Sequence, residues 1–157
     1  LTSSQIPYLR RKIGMVFQDF KVLNDRTISE NISVALEILG KKEADISQET
    51  QNVLKLIGLS HKSEYFPSQL SAGELQRVAI ARAIVGNPKV LLADEPTGNL
   101  DPKTGWDILK LLTTINKKGT TIIMATHNVD IVNSIYKRVI KLNRGKMVKD
   151  DKRGKYS

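Results

Sequence analysis

The chain has 157 residues and a formal charge of +9, from 25 lysines and arginines against 16 aspartates and glutamates. Hydrophobic residues make up 40% and charged residues 26%, a balance that excludes collagen-like and disordered chains and allows a real core. No apolar run approaches the ~18 residues that read as a bilayer span. With no cysteine, disulfides, thiolate nucleophiles and cysteine-based zinc sites are excluded too. The charge is uneven: residues 137–157 hold nine basic residues and two acidic ones, a net of +7. No aromatic residues interleave with these cations, which argues against nucleic acid. A solvated tail, or one drawn to an anionic membrane face, is the expectation.

In chain order, Ile13–Phe17 is a short apolar run that predicts a buried strand. Gln18 to Asp25 turns polar and predicts a loop. From Thr27, the spacing of Ile28, Ile32, Ala35, Leu36 and Leu39 predicts a helix closed by Gly40. A second helix is expected through Ile46, Val53, Leu54 and Ile57, closed by Gly58, followed by a polar connection over 59–69 containing Pro67. Ser71 opens a long helix to about Gly86. Val90–Ala93, continuously apolar, suits a parallel strand covered on both faces. Asp101 caps the next helix, with Pro102 at its first position and Ile108, Leu111, Leu112 and Ile115 as its inner stripe. Thr121–Ala125 predicts another buried strand, Val129–Ile135 a short helix, and Val139–Lys149 a hairpin turning at Asn143-Arg144-Gly145. This alternation is that of an α/β fold with a parallel sheet, interrupted at 24–88 by a helical insertion.

Chemistry concentrates where predicted strands end. Asp94 and Glu95 follow four apolar residues, at the carboxyl edge where α/β sheets bind ligands. One carboxylate there can hold Mg²⁺ while the other orients and deprotonates a water. Ser71 and Glu74 form an S-x-x-E capping box, and a helix start carrying a hydroxyl and Gly73 is suited to an anion. Gln18 and His127 follow two further strands. Each feature alone is ordinary; together they can converge on one nucleotide phosphate.

These residues resemble a known family. Leu-Ser-Ala-Gly-Glu-Leu-Gln-Arg (70–77) is similar to the signature motif of ABC-type ATPases, and Leu-Leu-Ala-Asp-Glu-Pro-Thr-Gly-Asn-Leu-Asp (91–101) to their Walker B and D-loop segments. Gln18 resembles the Q-loop glutamine and His127 the switch histidine, in matching order. The resemblance implies a P-loop NTPase fold of the ABC type: one domain, with 1–23 and 89–157 as the RecA-like core portion and 24–88 as the helical subdomain bearing the signature. It further implies ATP as substrate, with Mg²⁺. Glu95 would be the general base, and His127 would position the γ-phosphate and the attacking water. Asp94 and Gln18 would help hold the metal. Ser71 and Gly73 would bind the γ-phosphate of ATP on the opposite subunit of a homodimer, and Asp101 would communicate across that interface.

The segments at 8–14, 16–20 and 25–27 are similar to the FtsE type of cell-division ATPase. The expected partner is then an FtsX-type membrane permease, received near Phe20–Leu36. The expected setting is peripheral, at the cytoplasmic face of the plasma membrane, and the output is regulated peptidoglycan hydrolysis. Asp-Glu-Pro-Thr-Gly-Asn-Leu-Asp is also shared with lipoprotein-release and macrolide-export ATPases, which stand as the alternative, as does a non-catalytic docking module. There are two departures from the pattern. Ala72 stands where glycine is usual, and no G-x-x-x-x-G-K-[ST] phosphate loop occurs among the 157 residues. The resemblance therefore suggests an N-terminally truncated domain, its Walker A part missing, that turns ATP over poorly by itself.

Overall fold

The computed structural model describes residues 2–154, in two compact units that divide after Ala125. The first opens with a short helix, α1 (Ile6–Arg10), with Pro7 in its first turn. Strand β1 (Ile13–Val16) follows, then the loop, then helices α2 (Ile28–Ile38), α3 (Glu43–Leu56) and α4 (Ala72–Ile84). Strand β2 (Val90–Asp94), helix α5 (Pro102–Lys117) and strand β3 (Thr121–Ala125) complete it.

Local chemistry explains the boundaries. The Thr27 hydroxyl accepts from Glu30 N while the Glu30 carboxylate accepts from Thr27 N, a reciprocal box that starts α2. Ser71 and Glu74 repeat it for α4, and Asp101 accepts from Thr104 N at 3.0 Å to start α5. Gly40 and Gly58 take positive φ just past α2 and α3, where an L side chain would be strained.

The three strands lie in the order β1-β2-β3, all parallel, with Val16 opposite Ala93 and Asp94 opposite Ala125. Two apolar clusters share α4. One face of that helix (Val78, Ala81, Val85) packs with Ile28, Ile32 and Leu36 of α2 and with Leu54 of α3. The other (Ile80, Ile84) packs with Val16, Leu91 and Ala93 of the sheet and with Ile108, Leu112 and Ile115 of α5. A helix buried on two sides carries apolar residues nearly all round, which is why its sequence shows little amphipathic periodicity.

One expectation is corrected here. The strand read as covered on both faces, Val90–Ala93, is fully buried on one, and Val90 and Leu92 on its other face are half-buried. Leu91 and Ala93 are buried under α4 and α5, whereas Met15 and Ile123 point to the other face and are exposed, Ile123 by 58%. Both packing helices lie against the same side of the sheet. Continuous apolarity reported the composition of these strands and not which face a neighbour covers.

The second unit holds helix α6 (Val129–Ile135) and the antiparallel pair β4 (Val139–Asn143) and β5 (Lys146–Asp151). Asn128 caps α6 by accepting from Ile131 N. Most of the basic C-terminal segment is therefore an ordered hairpin and not a loose tail, with Arg138 gripping Asp150 through two hydrogen bonds of 2.8 and 2.6 Å. Lys155, the last of the counted cations, lies outside the described residues.

Candidate functional site

Of the sequence-predicted residues of the first unit, Glu95 and Asp101 lie in the segment that joins β2 to α5, Asp94 directly precedes it and Gln18 packs against it. Asp94 closes β2 and is exposed. Glu95, the next residue, adopts φ +42°, a left-handed conformation that is uncommon for a non-glycine residue and frequent at functional sites. The turn is fixed by its own backbone: Glu95 N donates to Ala125 O at 2.9 Å, and Gly98 N donates to Glu95 O at 3.0 Å. The alternation that would send two strand residues to opposite faces thus stops at Asp94. Glu95 is turned by the loop instead.

Gln18, two residues beyond β1, lies against the same segment. Asn99 Nδ2 donates to the Gln18 carbonyl at 3.1 Å, and Gln18 Nε2 approaches Asn99 Oδ1 at 3.5 Å. A Cβ on Gly98 would come within 3.2 Å of Gln18 Nε2. Because β1 and β2 are parallel neighbours, both segments leave the sheet at its carboxyl edge.

The start of α4 approaches from another side. Ser71 and Ala72 are exposed, while Gly73 is buried. A Cβ on Gly73 would overlap Thr104 Cγ2 on the first turn of α5. The glycine therefore has a packing reason, letting the first turns of α4 and α5 approach closely. The Ser71 hydroxyl accepts from Glu74 N at 3.3 Å and stands 3.2 Å from Glu74 Oε2, which also receives Ser71 N at 3.0 Å. Lys62 Nζ pairs with the other carboxylate oxygen at 2.7 Å. The Lys62 ammonium, with the Ser71 donors, holds the Glu74 carboxyl below its ordinary range. At Asp101 the hydrogen bonds from Thr104 lower the carboxyl pKa in the same sense.

Four residues that sequence reasoning missed hold this arrangement. Gln76, 1% exposed, donates from Nε2 to the Pro96 carbonyl at 2.8 Å. Asn99 clasps Gln18 as described. Asn31, fully buried, accepts from Leu23 N and directs its amide hydrogens at the carbonyls of Leu23, Arg26 and Thr27. Arg82 donates to Phe20 O and Lys21 O, two residues at positive φ, and so shapes the loop after Gln18. A signal was present for two of them. Asn31 falls three positions after Ile28, on the inward stripe of α2, and Gln76 falls four positions before Ile80 on a buried side of α4, so both are polar residues where the pattern buries.

His127 belongs to the second unit, between β3 and α6 in sequence, and is exposed. Among the described residues, no group of three or more His, Cys, Asp or Glu side chains could hold a metal by itself.

Comparison with known proteins bears on the same segments. The family model for the ABC transporter matches residues 1–98. The cell division ATP-binding protein FtsE of Bacillus subtilis (strain 168) is 53% identical over 156 residues, covering 99% of the chain and 68% of that protein. The chain belongs to the ABC transporter family of ATPases. FtsE of Escherichia coli (strain K12) is 46% identical over 145 residues, covering 92% of the chain and 65% of that protein. Among solved structures, the ATP-binding cassette MJ0796, a dimer in a post-hydrolysis state bound to ADP and Pi, superposes with a TM-score of 0.83 at 34% identity, over 99% of the chain and 69% of that chain. The α/β architecture with its parallel sheet is the ABC ATPase form of the P-loop NTPase fold.

Proposed function

We propose that this ABC ATPase hydrolyses ATP as a head-to-tail pair of subunits, with Glu95 as the general base. The observation that carries the reading is the meeting of Gln18, Asp94, Glu95, Asp101 and the start of α4 around one loop. Glu95, held in a left-handed turn at the sheet's carboxyl edge, would take the proton of the attacking water. Ser71, with the backbone at Gly73, would receive the γ-phosphate of ATP bound to the opposite subunit. This helix start offers N–H groups and the positive end of the helix dipole. To donate there, the Ser71 hydroxyl must first leave Glu74. Asp101 would transmit the state of that interface, and His127 would position the γ-phosphate and water.

Mg²⁺ suits the donors at this edge. The Asp94 carboxylate and the Gln18 amide oxygen are hard ligands, and Mg²⁺ commonly takes one or two protein oxygens and fills its octahedron with phosphate and water. The ion would neutralise charge on the transferred phosphoryl group. Residues 24–88 would form the helical subdomain, presenting the signature helix to the partner subunit.

The finer assignment is to an FtsE–FtsX-type complex, peripheral at the cytoplasmic face of the plasma membrane, whose ATP cycle regulates peptidoglycan hydrolysis during division. Identity to cell division ATP-binding proteins supports it. Among the described residues no helix is long and apolar enough to cross a membrane, and in this assignment a permease supplies the attachment, near Phe20–Leu36. The test uses the protein expressed from its complete reading frame. Steady-state Mg-ATP hydrolysis is expected, and Glu95→Gln should lower kcat by about 10²-fold or more while ATP binding persists. Turnover retained in Glu95→Gln removes that residue as the base.

A further inference from the structure

The hydrogen bond between Gln76 and Pro96 joins the two motifs that would act on different nucleotides. Gln76 lies on α4, five residues after Ser71, about 8 Å along the helix axis. Its Nε2 donates to the carbonyl of Pro96, the residue after Glu95, in a buried contact of 2.8 Å. Its Oε1 is also buried and has no hydrogen-bond partner among the described residues. An unpaired buried acceptor is costly, and methionine would fill a similar volume without it. The amide is therefore explained by the one bond it donates.

That bond is made where the loop most needs support. Glu95 is strained at φ +42°. The hydrogen bonds that hold its turn include Glu95 N to Ala125 O, Gly98 N to Glu95 O, and Gln76 Nε2 to Pro96 O. The first two are main-chain bonds within the sheet edge and the loop. The third reaches from α4, the helix whose first residues would meet a phosphate.

We infer that Gln76 is a positioning residue for ATP hydrolysis: it locks the Glu95 turn to α4, so the start of that helix and the Glu95 carboxylate move as one body. A shift of α4 on meeting the partner's nucleotide is then delivered to the base of this subunit's own site. The inference rests on the proposed roles of Glu95 and Ser71.

The test measures kcat and KM for Mg-ATP in the protein from its complete reading frame, with Gln76→Met and Gln76→Glu. Gln76→Met keeps the volume and removes the donor; kcat is expected to fall about 10-fold, the worth of one buried hydrogen bond, with KM for ATP within about 2-fold. In Gln76→Glu, burial raises the carboxyl pKa. Protonation at lower pH restores an O–H donor toward Pro96, so its kcat relative to the parent is expected to rise as pH falls from about 8 to about 6. A residue that merely filled space would leave kcat unchanged in Gln76→Met, which keeps the volume and adds no charge. Should Gln76→Met fail to fold, the Gln76→Glu profile decides alone. Absence of turnover in the parent overturns both this inference and the proposed function. Parent turnover with unchanged kcat in Gln76→Met, or a pH-independent ratio in Gln76→Glu, overturns this inference and leaves that function standing.

Discussion

Replacing Asn31 by aspartate changes one atom type and reverses the hydrogen-bonding sense of a fully buried group. Asn31 accepts from Leu23 N at 2.8 Å, and its amide nitrogen faces the carbonyls of Leu23, Arg26 and Thr27 at 3.0, 3.1 and 2.9 Å. Aspartate keeps the acceptor, but its second oxygen would face three carbonyl oxygens. The amide's two N–H donors, shared among the three carbonyls, are lost at about 1 kcal/mol each, a destabilisation of about 2 kcal/mol before any charge is counted. Native stability is only about 5–15 kcal/mol, so the loss is large. A shift of about 2–4 °C per kcal/mol at this chain size lowers Tm by about 4–8 °C. Burial among carbonyls raises the carboxyl pKa in the folded state above its unfolded value. The folded state then binds the proton more tightly, so stability falls as pH rises through that interval. The deficit against the parent should be smaller at about pH 5 than at about pH 8. Thermal and urea unfolding of both proteins at the two pH values provide the assay. A destabilisation below about 1 kcal/mol at pH 8, or one that grows as pH falls, refutes the assigned hydrogen-bond network.

Two further outcomes are expected. Gly73→Ala drives a methyl into Thr104 Cγ2 and should destabilise by about 1–2 kcal/mol, the overpacking cost less the helix preference of alanine; Thr104→Ser, which removes that methyl, should recover most of the loss in a double-mutant unfolding cycle, and no recovery would show that the glycine answers to something other than α5. Glu74 has its pKa lowered by Lys62 and Ser71, so the stability it contributes is present above the ordinary carboxyl pKa of 4.5 and is lost as pH falls through the lowered value. The difference between the parent and Glu74→Gln should therefore be widest near neutrality and close in acid; a difference that widens in acid contradicts the pairing.

Much of the site was readable in one dimension because its chemistry sits at element boundaries. Thr27, Ser71 and Asp101 are caps whose bonds span three residues, so their spacing alone predicts the helix starts that the structure contains. The apolar runs placed β1, β2 and β3, and their parallel order follows from the helices between them. Asp94 therefore comes at the carboxyl edge of the sheet on sequence evidence alone, with Gln18 just beyond the neighbouring strand.

What surrounds those residues depended on contacts that sequence spacing does not encode. Gln18 and Asn99 are 81 positions apart, and Arg82 reaches back 61 and 62 positions to Lys21 and Phe20. The left-handed turn at Glu95 follows from bonds to Ala125 and Gly98, not from any local preference of glutamate. Gly73, whose expected role is close backbone approach to a phosphate, also lies against the first turn of α5, a contact no local spacing predicts. The sequence by itself determined the elements, their caps and the residue types brought to the sheet edge, because these depend on periodicity and on bonds a few residues long. Only the tertiary structure decided which side of the sheet is covered and how Glu95 is turned. It also decided that one buried amide, Gln76, ties the signature helix to that turn, because such contacts arise only when distant segments pack.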